Sequence, residues 1–119
     1  MRTRVGFKGL LAIAAGALLL LTGCIPAPPT ASEPPPDADM VITISNHSYD
    51  VSGTVVPGGT IALINLDSVD HTVTSDDGTS FNVPAPGGQT VTFTAPEAAG
   101  VYTFHCIPHR SMVSQLEVT

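Results

Sequence analysis

The sequence predicts an all-β domain, a sandwich or barrel of about eight short strands. Three observations carry that expectation. No stretch repeats its apolar residues at helical spacing, short β-branched runs recur along the chain, and Gly, Pro, Asp and Asn clusters punctuate them. A chain of 119 residues has room for one such domain and little else.

The chain opens on an address. Arg2, Arg4 and Lys8 precede a nearly unbroken apolar run from Gly9 to Leu21, which ends in Leu21-Thr22-Gly23-Cys24. That run is short for a membrane span and fits an export signal over residues 1–23. Small residues before a cysteine resemble the bacterial lipobox, in which the cysteine is acylated and becomes the mature N-terminus. Cys24 is therefore expected to be the lipidation site, with the chain exported and tethered on the periplasmic or extracellular face.

Residues 24–39 follow as a proline-rich stretch with almost no large apolar side chain. Such a segment cannot bury a core and is expected to be an extended spacer. The folded domain is then 40–119. Strands are expected near 40–45, 53–56, 60–65, 71–75, 81–83, 89–94, 100–105 and 114–118. Pro57-Gly58-Gly59, Asp76-Asp77-Gly78 and Pro86-Gly87-Gly88 mark turns between them. Alternation sets the facing of side chains: Val91 and Phe93 inward, and Tyr102, Phe104 and Cys106 along one inward row. His105 then points to the opposite face.

Charge narrows the partners. The formal net charge is −6, yet three of the four basic residues lie in the export signal. Arg110 alone then faces ten carboxylates. Nucleic acid is excluded as a partner, because its phosphates need Lys and Arg to displace counterions. Electrostatic docking on anionic lipid is excluded for the same reason.

The chemistry lies in Cys106-Ile107-Pro108-His109-Arg110-Ser111-Met112, which sets a thiolate, an imidazole and a thioether on one loop leaving a strand. His71 opens another strand upstream. Each residue alone has a plainer role: a buried thiol, a loop histidine, a core methionine, a surface histidine. Together, two His and one Cys with a weak Met form the donor set of blue-copper electron-transfer centres. Thiolate and thioether suit Cu(I) and imidazole suits Cu(II). Zinc is the competitor, but its structural sites favour four strong ligands. His47 is expected in a solvated turn, with peripheral copper capture beside His105 as its alternative role.

Asn65 through His71-Thr72-Val73, with Tyr102-Thr103-Phe104-His105 and the Cys106–Met112 segment, resembles the cupredoxin family. Cys-x-Pro-His resembles its plastocyanin- and amicyanin-like members alike, and the two-residue gap from His109 to Met112 the latter more closely. The resemblance implies an eight-stranded Greek-key sandwich holding one mononuclear type 1 copper. It implies His71, Cys106 and His109 as strong ligands and Met112 as the long axial one. It further implies that Asn65 braces the ligand loops and that the Thr72 N–H points at the Cys106 sulfur. Pro108 has no N–H to add a second such bond. Leu63 stands where relatives often carry Trp.

Three functions follow from such a site. Electron carriage, with a monomer meeting redox protein partners, is the expected one. An envelope copper-binding or copper-delivery protein is the alternative, although dedicated Cu(I) carriers tend to Met-rich or paired-Cys sites. An enzyme is not expected, because copper oxidases and reductases need further copper centres and an open coordination position.

Overall fold

The computed structural model describes residues 34–119, so the expected export signal, Cys24 and most of the expected spacer lie outside the described residues. Eight strands form: β1 (Met40–Ser45), β2 (Ser48–Val51), β3 (Thr60–Asn65), β4 (His71–Ser75), β5 (Asn82–Ala85), β6 (Thr90–Thr94), β7 (Gly100–His105) and β8 (Val113–Val118). They make two four-stranded sheets, ordered β2-β1-β3-β6 and β5-β4-β7-β8. The chain crosses between sheets after β3, β5 and β6, which gives a Greek-key sandwich. No helix forms among the described residues.

Alternation explains what each strand buries. In β1, Met40, Ile42 and Ile44 point inward while Val41, Thr43 and Ser45 do not. In β3 five successive residues are buried, because the strand lies inside its sheet and under neighbouring loops. Phe104, Leu63, Ile61 and Leu116 are completely enclosed, and Tyr49, Phe93 and Tyr102 pack against that cluster. Burying each large apolar side chain contributes about 1.5–3 kcal/mol, which makes this cluster the chief support of the fold.

Two strands differ from the sequence expectation. Residues 53–56 do not form a strand; the second strand is β2, and Val55 makes only an isolated parallel bridge to Val118. The cause is a two-residue hairpin turn at Asn46-His47, both at positive φ (50° and 57°), with Ser45 paired to Ser48. Such turns usually announce themselves by Asn-Gly or Asp-Gly, and here histidine takes the second place. The fifth strand runs through Pro84 to Ala85 instead of stopping at residue 83. Proline is tolerated there because β5 is an edge strand with one unpaired side.

Candidate metal centre

β1 and β3 run parallel while their other neighbours run against them. Four connections therefore meet at one end of the sandwich: the 46–47 turn, the 66–70 loop, the 86–89 turn and the 106–112 loop. His71 enters this end as the first residue of β4, and Cys106 leaves β7 just past its last residue. The 106–112 loop is closed on itself. The Cys106 N–H donates to the Met112 carbonyl at 3.1 Å, and the Met112 N–H donates to the His109 carbonyl at 2.9 Å.

Three donor atoms converge there. Nδ1 of His71 lies 3.2 Å from Nδ1 of His109, and Cys106 Sγ lies 3.8 and 3.7 Å from those two nitrogens. A point equidistant from all three lies about 2.1 Å from each, the length of a metal–imidazole or metal–thiolate bond. His71 and Cys106 are buried and His109 is half-buried. Among the described residues this is the one group of three such side chains placed to hold a metal ion. Met112 is buried in the same core cluster as Cys106.

Neighbours prepare the donors for metal. His71 Nε2 is 2.8 Å from Asp67 Oδ2. A carboxylate only accepts, so Nε2 carries the proton and Nδ1 turns its lone pair toward the site. The Thr72 N–H donates to Cys106 Sγ at 3.4 Å. Thr72 Oγ1 accepts the Ile107 N–H at 3.0 Å, tying β4 to the ligand loop just before Pro108, which is exposed. Asn65 is fully buried. Its Nδ2 donates to the carbonyls of Val69 and Ala85 at 2.8 Å each, and its Oδ1 accepts the Asp67 N–H. It thereby fixes the loop that delivers His71 rather than the loop of Cys106.

Two contributors were not visible as partners in the sequence. Asp67 accepts the N–H groups of Asn46 and His47 as well as bonding His71. The His47 N–H foremost, with the His71 ring, holds its carboxyl below the usual carboxylate range. An acid four residues before a candidate ligand histidine was the one available signal. Tyr49 stacks edge-on against Phe104 and donates its hydroxyl to the Thr72 carbonyl. Burial, together with the adjacent Cys106, raises its pKa well above the ordinary tyrosine value, so it remains a donor.

His47 is indeed in a turn and over half exposed, but its ring lies against His71 and His109, at centroid distances of 5.1 and 4.9 Å. His105 is elsewhere, paired through Nδ1 with Asp76 at 2.6 Å. The two share no metal-binding cluster among the described residues.

Comparison with known proteins agrees with this geometry. A family model described as a cupredoxin-like domain matches residues 11–118. No curated protein gives a significant match. Among solved structures, the Cu(I) form of a methionine-to-alanine variant of amicyanin is 26% identical, covering 77% of this chain and 91% of that one at a TM-score of 0.58. A reduced tryptophan-to-tyrosine variant of amicyanin is 25% identical over 76% of this chain and 90% of that one, also at a TM-score of 0.58. Amicyanin from Paracoccus versutus, at 22% identity and a TM-score of 0.60, covers 76% and 89% of the two chains and supports the fold alone. The fold and the donor set together fit one mononuclear type 1 copper site. With its matched span, its two crossed-over sheets and this cluster at one end, the chain belongs to the cupredoxin-like family.

Proposed function

We propose that this chain is an electron carrier of the cell envelope whose copper is held by His71, Cys106, His109 and Met112. One observation carries the reading: a buried His–Cys–His triangle sized for a single ion, in a fold whose amicyanin relatives are known in reduced and oxidised forms. Copper, when bound, supplies a one-electron couple between Cu(I) and Cu(II). The protein's task is to keep the donors still through that change. His71 is held from behind by Asp67, Cys106 by the Thr72 N–H, and His109 and Met112 by the closed loop they share. A donor cage that does not relax lowers the reorganisation that accompanies electron transfer.

His109 is the half-buried member and offers the shortest way out for an electron. Leu66, Val69 and Ile107 are exposed on the loops around it, which suits brief contact with a redox protein. Residues 1–23 would export the chain, Cys24 would carry the acyl anchor, and residues 24–39 would hold the 40–119 domain clear of the membrane. We read the chain as a carrier, not an enzyme, and as a monomer.

Visible absorption of the Cu(II)-loaded protein tests the site. A strong thiolate-to-copper band is expected, lost in Cys106→Ser, together with a reversible voltammetric wave. A colourless copper complex of the wild type would overturn the blue-copper reading. Tight Cu(I) binding with no stable Cu(II) form would instead identify a copper-delivery protein.

A further inference from the structure

His47 is an imidazole at the metal end to which the copper centre gives no task. Its ring stands edge-on to both His71 and His109, with interplanar angles of 84° and 90°. The His71 and His109 centroids are themselves 4.9 Å apart, so the three rings form a nearly equilateral group. Their exposure is graded. The His71 side chain is wholly buried, His109 is half-buried, and the His47 side chain is 55% exposed. A path from solvent to the buried triangle along these imidazoles runs past His47 first.

We infer that His47 is the entry ligand of the site: it takes a copper ion from solvent beside His109 and passes it inward to the His71–Cys106–His109 triangle. The inference rests on the copper reading above. Imidazole is a good copper donor in either oxidation state, whereas Cys106 and His71 are shielded until the ion is already inside. The Asp67 carboxylate lies 3.9 Å from His47 Nδ1 and adds a negative charge that draws cations to this mouth. The ring needs only side-chain rotation to present a nitrogen inward, and exposed side chains rotate within nanoseconds. Its place is set by the backbone rather than by the ring. The His47 N–H donates to Asp67 Oδ2 at 3.0 Å, at a φ of 57°.

The backbone anchoring supplies clean variants. Asn and Gly both accept positive φ, so His47→Asn and His47→Gly keep the turn while removing the imidazole. The metal-free full-length protein is mixed anaerobically with Cu(II), and growth of the visible band is followed by stopped flow. Both variants are expected to load about tenfold more slowly than wild type, since a first donor at the mouth raises the local concentration of the ion for the second step. The final band should be unchanged. If His47 only obstructs the mouth, Gly loads faster; if it is inert, the rates are equal. Either result overturns the inference, and so does a shifted final band, which would place His47 in the finished centre. Failure of the copper reading itself is seen separately, as a wild type that never develops the band.

Discussion

Two aspartates organise the two ends of this sandwich in opposite ways. Asp77 sits in the β4–β5 hairpin, away from the metal end, and works within its own turn. It accepts from the N–H groups of Thr79 and Ser80 and from the hydroxyls of Ser75 and Ser80, none more than three residues away. Asp67 reaches residues 20 and 21 positions away in the 46–47 turn, and His71 as well. The local carboxylate shapes one hairpin. The long-range one welds two separate connections to a metal donor, so damage to it travels to the site.

The contrast can be broken most severely at Asn65, the buried anchor beneath Asp67. Asn65→Ala removes three hydrogen bonds from a fully enclosed position and is expected to cost about 3 kcal/mol, read by denaturant unfolding. Next comes Gly87→Ala. An added Cβ would stand 2.4 Å from the Ser68 carbonyl oxygen, where the 86–89 turn presses on the 66–70 loop. Backbone cannot yield as a side chain can, and about 2 kcal/mol is expected, with a weakened or shifted visible band.

Asp67→Asn should cost less stability, about 1 kcal/mol. Its larger signature is a copper affinity lower by about 10- to 100-fold, because the charge that fixes the His71 tautomer is gone. Asp77→Asn should be the mildest at the metal, leaving the band and copper affinity at wild-type values. Its effect is on acid stability. The Ser80 and Ser75 hydroxyls, with two backbone N–H groups, hold the Asp77 carboxyl well below the usual range. A depressed carboxyl contributes stability above its unfolded pKa and loses it as pH falls toward the folded value. The gap between wild type and Asp77→Asn should therefore narrow below about pH 4. A gap that widens on acidification would refute the assignment.

This local and long-range divide also separates what the sequence reveals from what it hides. Alternation in β1, β6 and β7 and the Gly-rich turns are local signals, and they point to a sandwich. The spacing from Cys106 to His109 is local too, and both converge with His71. Asp67 facing the 46–47 turn, Tyr49 under Thr72 and His47 against His109 depend on how β1 and β3 pair. That register is not written in the spacing of any one segment. Strand β2 departs from the sequence expectation for a related reason: histidine in a positive-φ turn carries no usual hairpin signal.

The edges of the sheets carry a last consequence. β5 holds Pro84, which has no N–H to offer a passing strand. β8 is partly occupied on its outer side by Val55, which donates its N–H to the Glu117 carbonyl and accepts that of Thr119. An unguarded strand edge would let collisions between copies of the chain end in sheet extension. With β5 and β8 both blunted, the second sheet offers little to zip onto. Encounters between copies along this sheet then end in separation rather than in fibres.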